Sequence, residues 1–276
     1  MLLVRIGDDY VKTRLISAIV VILAAIPIFL IGGIPFKLAF YVIAMLGLRE
    51  YLGVRSKRKD FPIFIKLIAY ICLTLIYFTF DIKADMSIGT DIRYITGLML
   101  MMFLPMILYK DKNEYNINDA CYVVSGVLLI SITMLLMTVF RDIRLALIVL
   151  LFVVTVMTDT FAYLTGMLIG RHKLLESISP KKTWEGFIGG AVVATFVSVM
   201  FYIRVINPDI SIPLITGLML LLSIIGQLGD LFFSAIKRYY GVKDFSNIMP
   251  GHGGILDRLD SIIFVVLAYS LIITIL

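Results

Sequence analysis

The chain alternates between long apolar stretches and short polar segments over its whole length. Each apolar stretch is close to the ~20 residues that an α-helix needs to cross the hydrocarbon core of a bilayer. The pattern predicts an all-α, polytopic integral membrane protein with about nine transmembrane helices. The predicted runs are Leu15–Ile34, Phe36–Gly53, Pro62–Phe80, Ile92–Tyr109, Ala120–Phe140, Leu145–Ile169, Trp184–Ile203, Ile212–Phe233 and Ile255–Leu276.

Composition and charge agree with lipid as the solvent for most of the chain. Hydrophobic residues make up 61% of the 276 residues and charged residues only 16%, whereas a soluble domain is nearer half apolar and a quarter charged. With a cytoplasmic N-terminus, most of the 25 Lys and Arg fall on the cytoplasmic side, as the positive-inside rule requires. We therefore expect a multi-pass protein of the cell membrane with its C-terminus outside.

The net charge of +6 has a limited meaning in such a protein. Basic residues in short loops suit anionic lipid and small anionic substrates, and they are a poor match to nucleic acid. The two cysteines, Cys72 and Cys121, form no metal-binding or redox motif.

Residues that are suited to catalysis or ligand binding gather in the C-terminal half, on the predicted cytoplasmic side. Asp159 and Asp230 each stand inside an apolar run, where a carboxylate is costly and by default marks a function. Asp230, Ser234 and Lys237 follow the spacing i, i+4, i+7, which places them on one face of a helix that we expect to continue through Arg238. The plain alternative is that Lys237 only neutralises Asp230.

A glycine-rich segment, Gly251 to Gly254, immediately precedes the last apolar run. Such backbone at a helix N-terminus is expected to present free N–H groups, which suit phosphate. Asp257 and Asp260 follow at i, i+3 on the first helical turn, with His252 and Arg258 nearby in sequence. Helix capping is the alternative role for the two acids.

The segment Ser179–Gly186, SPKKTWEG, is predicted to start a helix. Ser179 would be the N-cap and Pro180 the first helical residue. Lys181 and Lys182 would then lie at the positive end of a helix, which favours an anionic ligand. A topology signal is the alternative for these two lysines.

Carboxylates from different helices beside Lys and Arg suit Mg²⁺ and a polyphosphate. Mg²⁺ prefers oxygen ligands and is usually held by one or two carboxylates plus substrate phosphates. Cations and metal stabilise the charge that develops in an in-line phosphoryl displacement. The candidate metal ligands are Asp159, Asp230, Asp257 and Asp260.

From Ser234 onward the sequence resembles the CDP-diacylglycerol synthase family, also called phosphatidate cytidylyltransferases. The family signature begins Ser-x-apolar-Lys-Arg, continues through Lys-Asp, and ends Pro-Gly-His-Gly-Gly-apolar-x-Asp-Arg-apolar-Asp. This chain matches it from Ser234 to Asp260 without a departure. The SPKKTWEG segment and the stretch from Asp159 to Tyr163 are also similar to the family, so the likeness covers the chain from about Asp159 onward.

The resemblance implies a reaction in which an oxygen of phosphatidic acid attacks the α-phosphorus of CTP and pyrophosphate leaves. It also implies Mg²⁺ as cofactor, with a second metal ion left open, a homodimer, and a polar cavity open to the cytoplasm and to lipid. Asp230 and Asp257 match the family's metal-binding aspartates. The expected catalytic residues are Asp230, Asp257, Lys237 and Arg258. The expected substrate-binding residues are Ser179, Lys181, Lys182, Ser234, Arg238, Lys243, His252, Gly253 and Gly254.

We therefore divide the chain into a scaffold of N-terminal helices, 1–150, which would also provide any dimer contacts, and a catalytic region, 151–276. Two other functions use similar residues. A CTP-dependent polyprenol kinase would transfer the γ-phosphate to an alcohol and would need a base, for which Asp159 or Asp260 could serve. A transporter of anionic solutes would spread its charged residues through the membrane, whereas here they gather in one half of the chain.

Overall fold

A computed structural model describes residues 23, 25–56, 60–79, 81–82, 88–89, 92–109, 114–248 and 253–273. The described part of the chain is mainly helical. A helical segment, 25–31, precedes the first full helix. The helices are α1 Gly33–Ser56, α2 Ile63–Thr79, α3 Ile92–Phe103, α4 Pro105–Leu108, α5 Ile117–Ile143, α6 Leu145–Ile169, α7 Trp184–Phe201, α8 Ile212–Tyr239 and α9 Leu256–Ile272, and a π-helical turn at Tyr202–Ile206 extends α7.

Two small antiparallel hairpins complete the described secondary structure. Strands β1 (Asp81–Ile82) and β2 (Ile88–Gly89) pair between α2 and α3. Strands β3 (Lys173–Leu175) and β4 (Ser179–Thr183) pair between α6 and α7, with Lys173 opposite Thr183 and Leu175 opposite Ser179. The second hairpin carries the lysines of the SPKKTWEG segment.

The described helices follow the apolar pattern of the sequence. The run Leu145–Ile169 coincides with α6, and the apolar run from Trp184 begins where α7 begins, four residues after the helix start predicted from Ser179 and Pro180. The run Ile92–Tyr109 is divided into α3 and α4, and Pro105, a residue that suits the first turn of a helix, opens the second piece. The predicted continuation of α8 through Arg238 is confirmed.

Four of the described helices are long and apolar enough to cross a membrane. They are Ile117–Ile143, Leu145–Ile169, Trp184–Ile206 and Ile212–Tyr239. The prediction of an all-α membrane protein is confirmed at this level. Residues 15–22 and 24 of the first predicted run lie outside the described residues.

The described residues fall into two compact units. The first unit holds those up to Thr138 together with those in Val242–Arg258, and the second holds Val139–Gly241 together with those from Leu259 onward. Helices α5 and α9 contribute residues to both units. The segment that joins α8 to α9, with most of the signature motif, therefore belongs to the same unit as the N-terminal helices.

The first unit contains a buried ion pair beside an aromatic cluster. Arg55 at the end of α1 donates from Nε to Asp119 Oδ1 at 3.0 Å and from Nη2 to Asp119 Oδ2 at 2.7 Å, and both residues are buried. The guanidinium also lies over the ring of Phe61, 4.5 Å from its centroid. Tyr51, one turn earlier, stacks on Tyr122 of α5 at 4.3 Å. These contacts fasten the C-terminal half of α1 to the start of α5.

In the second unit, glycines allow α7 to pack directly on the backbone of α6. A Cβ at Gly190 would lie 2.7 Å from the Thr158 carbonyl oxygen and 2.9 Å from the Ala162 nitrogen. A Cβ at Gly186 would lie 2.6 Å from the Ala162 carbonyl oxygen. Small residues at this spacing are typical of close helix pairs in membranes. The contact flanks Asp159, so it fixes where that carboxylate lies.

The Gly190→Ala variant is expected to destabilise the protein by about 1–3 kcal/mol, because the new methyl group would meet backbone atoms that cannot rotate away. The matched control is Gly217→Ala in α8, where an added Cβ would meet nothing within 4 Å. Helix propensity favours alanine there by up to about 1 kcal/mol. The midpoint of thermal unfolding in detergent measures both changes, and equal midpoints for the two variants would contradict the packing described.

Candidate active site

A pocket of about 290 Å³ lies within the second unit, between the helices that carry the intramembrane carboxylates. Its polar lining comes from Asp159 on α6, Lys181 and Lys182 on β4, and Gln227 and Asp230 on α8. Apolar side chains such as those of Met167 and Phe187 complete the wall. A mainly apolar cavity with a few converging polar groups is the usual form of a small-molecule site.

An ion pair joins two of the predicted site residues in this pocket. Lys182 Nζ lies 2.5 Å from Asp230 Oδ2, and both side chains remain about a quarter exposed. Ser234, one turn further along α8, donates from Oγ to Asp230 Oδ1 at 3.4 Å. The predicted common face of Asp230 and Ser234 is confirmed, and the salt bridge of Asp230 reaches across to the hairpin.

The hairpin corrects the predicted start of α7. Ser179 and Pro180 lie in strand β4, so they are neither the N-cap nor the first residue of a helix. Thr183 is the N-cap, since its backbone is extended and its side chain accepts from the Gly186 N–H at 3.1 Å. The strand forms because Lys173–Leu175 offers a pairing partner, and because a residue before proline disfavours the helical conformation.

The hairpin is also tied to the end of α8. Arg238 Nε donates to the Ile178 carbonyl oxygen at 3.2 Å. Lys173 Nζ donates to the Pro180 carbonyl oxygen at 2.7 Å, across the hairpin itself. The strand that presents Lys181 and Lys182 to the pocket is therefore held from both sides. In this structure the Arg238 Nε–H therefore binds the backbone of the hairpin that carries these two lysines.

Close packing of α8 and α9 brings a third carboxylate near the pocket. A Cβ at Gly229 would lie 2.8 Å from Phe264 Cβ and 2.9 Å from the Asp260 carbonyl oxygen, so glycine permits the approach. The charge of Asp230 acts on both Asp159 and Asp260. Aspartates from three helices therefore lie within electrostatic range of one another.

The charges around the pocket nearly cancel before any ligand binds. The three carboxylates of Asp159, Asp230 and Asp260 are matched by the ammonium groups of Lys181, Lys182 and Lys237, of which Lys182 acts on Asp159 and Lys237 on Asp260. An anionic triphosphate needs further positive charge in such a site. A divalent cation supplies that charge and finds the oxygen ligands that it prefers.

Carboxylate oxygens, from Asp159 and Asp230, are the candidate metal ligands in this pocket. Across the described ranges, no group of three or more His, Cys, Asp and Glu side chains is arranged to hold a metal ion. Oxygen donors are the ligands that Mg²⁺ prefers, and Mg²⁺ is usually bound by one or two carboxylates together with substrate phosphates.

The signature segment in the first unit uses its backbone N–H groups internally. Asp257 Oδ2 accepts from Phe245 N at 2.8 Å and from Gly254 N at 2.9 Å. The next two N–H groups, of Ile255 and Leu256, bind the carboxylate of Glu50 at 2.9 and 2.8 Å. The expectation of free N–H groups is therefore wrong for these three positions, because two carboxylates already occupy them.

The contacts of Asp257 bear on helix capping, the alternative role that its position near the start of α9 suggested. Its bond to the Gly254 N–H closes the start of α9, so the capping role is confirmed. A carboxylate has acceptor capacity for more than two partners, and the capping role leaves the predicted metal role untested. Gly253, with φ +80°, adopts a backbone conformation that favours glycine. His252 lies outside the described residues.

The remaining predicted residues differ in accessibility. Lys237 is buried, with 6% of its surface exposed. Lys243 and Arg258 are exposed. Burial of an ammonium group is costly unless it has anionic partners, and the Asp260 carboxylate is one group on which Lys237 acts.

The Lys237→Ala variant is expected to raise the KM for CTP by about 10-fold or more. The predicted role of Lys237 is to bind a phosphate of CTP, and a hydrogen bond to a charged group is worth roughly 1.5–3 kcal/mol. Initial rates against CTP concentration measure this. Lys66→Ala is the control, because Lys66 pairs with the exposed carboxylate of Asp60 at 2.6 Å in the other unit. An unchanged KM and kcat for Lys237→Ala would mean that this lysine only balances the aspartates.

Comparison with known proteins places the chain in a family. Residues 12–276 match the model of the cytidylyltransferase family. The chain belongs to this family. Among its curated relatives is a phosphatidate cytidylyltransferase from Staphylococcus haemolyticus, 36% identical over 259 residues, which cover 92% of this chain and 95% of that protein. A phosphatidate cytidylyltransferase from Staphylococcus aureus strain COL is 35% identical over 257 residues, with the same coverage.

Two polar residues of this cytidylyltransferase were missed by the sequence reasoning. Gln227, only 2% exposed, lines the pocket and donates from Nε2 to the Phe187 carbonyl oxygen at 3.0 Å. Glu50, 3% exposed, binds the start of α9. Gln227 lies one turn before Asp230 on α8, so helical spacing from a known site residue could have indicated it. Glu50 gave no such signal, because its partners are far away in sequence.

Proposed function

We propose that this chain is a phosphatidate cytidylyltransferase, which makes CDP-diacylglycerol and pyrophosphate from CTP and phosphatidic acid. The observation that carries the proposal is the set of relatives with that name, matched at 35–36% identity over 92% of this chain. The pocket lined by Asp159, Asp230 and Lys182 supports the proposal. The unbroken signature from Ser234 to Asp260 points to the same chemistry.

The reaction is a transfer of the cytidylyl group between two phosphates. An oxygen of the phosphatidic acid phosphate forms a bond to the α-phosphorus of CTP, the bond from that phosphorus to the α–β bridging oxygen breaks, and pyrophosphate leaves. The attacking phosphate is already anionic near neutral pH, so the site needs no strong general base. Its main task is to hold two anions in line and to stabilise the charge that develops.

The residues of the chain have separate parts in this proposal. Mg²⁺, when bound, would neutralise the polyphosphate and the developing charge. Asp159, Asp230, Asp257 and Asp260 remain the proposed ligands on the strength of the sequence, and one or two of them, together with substrate phosphates, would bind the metal directly. Lys181, Lys182 and Lys237 would face phosphate oxygens. Lys243, Arg238, Arg258, Ser179, Ser234, His252 and the glycines Gly253 and Gly254 remain proposed substrate contacts on the strength of the motif.

The topology of the protein in the membrane is part of the proposal. Nine spans with the N-terminus in the cytoplasm would place the basic segments and the site on the cytoplasmic side, where CTP is available. Positive-inside charge and the apolar runs support this arrangement. The homodimer is proposed from the family resemblance.

The experiment that tests the function uses CTP labelled separately at the α- and γ-phosphates. Purified protein in detergent micelles with phosphatidic acid and Mg²⁺ is expected to move the α-label, and not the γ-label, into the organic phase. Addition of EDTA should stop the transfer. In a parallel assay that contains a polyprenol, label from the γ-position in the polyprenol would instead identify a kinase, and no transfer to either acceptor by folded protein would contradict both.

A further inference from the structure

A glutamate on the first full helix, Glu50, binds the signature segment from about two hundred residues away in sequence. It stands in α1, and only 3% of its surface is exposed. A buried, ionised carboxylate is costly unless charge-assisted hydrogen bonds compensate for the lost water. All the partners that follow lie in the same compact unit as Glu50.

The Glu50 carboxylate accepts three hydrogen bonds from the segment that joins α8 to α9. Ser246 Oγ donates to Oε1 at 2.5 Å, Ile255 N donates to Oε1 at 2.9 Å, and Leu256 N donates to Oε2 at 2.8 Å. The two backbone donors belong to the start of α9, whose helix dipole favours a negative charge there. Glu50 thus occupies the anion position that a helix N-terminus offers.

Asp257 makes a parallel set of contacts at the same place. Its Oδ2 accepts from Phe245 N and from Gly254 N. Each carboxylate therefore joins residues 245–246 to residues 254–256, and so joins the two flanks of the segment 249–252. We refer to this pair, Glu50 and Asp257, as the carboxylate clasp.

Gly254 shows how tightly Glu50 fits. A Cβ at position 254 would lie 2.6 Å from Glu50 Oε2 and 2.7 Å from both Cδ and Oε1. No side chain can be placed there while the carboxylate keeps its position. The Glu50 carboxylate therefore gives a steric reason for glycine at position 254, the second glycine of the Gly-Gly pair in the signature.

We propose that Glu50 is a positioning residue for the cytidylyl transfer. It acts by joining Ser246 to the start of α9 at Ile255 and Leu256, and it thereby fixes the orientation of Asp257. The inference rests on the proposed function, in which Asp257 contributes to the metal site. Glu50 itself contacts backbone and Ser246, so its effect on the reaction passes through the clasp.

The chemistry of the contact requires a carboxylate. Glutamine has an amide N–H donor in place of one carboxylate oxygen. That N–H would face a group that now donates to Glu50, so at least one buried N–H would lose its acceptor. Aspartate keeps the charge but is shorter by one methylene group. Residues that orient a metal ligand without binding the metal themselves typically contribute 10- to 100-fold to activity or metal affinity.

The test compares purified Glu50→Gln, Glu50→Asp and Gly254→Ala with the wild type. For each protein the kcat for CDP-diacylglycerol formation, the KM for CTP, the Mg²⁺ concentration at half activation and the thermal midpoint are measured. Glu50→Gln is expected to lower kcat by about 10- to 100-fold and to raise the half-activating Mg²⁺ concentration. Glu50→Asp should recover part of this loss, and Gly254→Ala should reproduce it from the opposite side of the contact.

The control is Asp119→Asn, which removes the charge from another buried carboxylate of the same unit. It is expected to lower the thermal midpoint, while kcat per folded molecule and the Mg²⁺ response stay within about 3-fold of wild type, since Asp119 contacts no part of the signature segment in the described contacts. Wild-type kcat and Mg²⁺ response in Glu50→Gln would overturn the inference. A wild type that forms no CDP-diacylglycerol would instead refute the proposed function.

Discussion

The Asp257→Asn variant is expected to form CDP-diacylglycerol more than about 100-fold more slowly than the wild type, because loss of a metal ligand should cost more than the 10- to 100-fold typical of an outer-shell partner. The amide oxygen of asparagine can still accept from Phe245 N and Gly254 N, which Asp257 Oδ2 holds at 2.8 and 2.9 Å. The segment should therefore stay closed while the charge is lost. Initial rates in detergent micelles measure the effect.

The Asp257→Ala variant separates the two roles of this residue. Alanine removes the proposed metal ligand and also leaves two N–H groups without their acceptor, at a cost of about 1–3 kcal/mol each if they stay buried. Both variants should be inactive, and only the alanine variant should unfold at a clearly lower temperature. Near wild-type activity in Asp257→Asn would show that Asp257 only closes the helix start.

The Asp230→Asn variant is the second substitution with a large expected effect, again a loss of more than about 100-fold in kcat. Asp230 Oδ2 lies 2.5 Å from Lys182 Nζ, and its charge acts on two further aspartates. Replacing it with an amide removes one proposed metal ligand and changes the charge balance of the whole pocket. The Mg²⁺ dependence of the residual rate should shift to higher concentration.

A double-mutant cycle with Lys182→Gln tests whether the two residues act as a pair. Lys182→Gln alone leaves Asp230 without its ammonium partner, so its effect should include that penalty. The double variant Asp230→Asn/Lys182→Gln should then lose less activity than the product of the two single losses. Losses that simply multiply would mean that the two residues act independently and that the ion pair itself has no part in the reaction.

Much of the helical architecture could be predicted because lipid imposes a simple rule on the sequence. Every backbone group in a bilayer must be satisfied within a helix, so long apolar runs translate directly into helices. Leu145–Ile169 and the start at Trp184 were obtained in this way. The face shared by Asp230 and Ser234 followed from helical spacing, which depends only on neighbours in sequence.

The parts that could not be predicted depend on contacts between distant residues. The strand at Ser179–Thr183 forms because Lys173–Leu175 pairs with it, and a proline after a serine suggested a helix start instead. Local rules indicated Ser179 as the N-cap, whereas in the fold the N-cap is Thr183. Sequence rules thus gave the right residues in the wrong local structure.

Glu50 illustrates the same limit more clearly. On its own helix it is one acid next to Arg49 near the end of an apolar run, which reads as an ordinary membrane-boundary residue. Its meaning comes from Ser246, Ile255 and Leu256, which the fold brings to it. The glycine pair of the signature was recognised from sequence, but its physical reason at Gly254 is the space taken by the Glu50 carboxylate.

The measurement that tests the account most directly is the initial rate of label transfer from α-labelled CTP to phosphatidic acid, by purified wild-type protein in micelles, as Mg²⁺ is removed with EDTA and restored. If the reaction is a metal-assisted cytidylyl transfer, CDP-diacylglycerol forms, EDTA abolishes its formation, and Mg²⁺ restores it in the wild type but not in Asp230→Asn. Transfer that persists in EDTA, or an Asp230→Asn protein as active as the wild type, would contradict a metal-assisted cytidylyl transfer in this pocket.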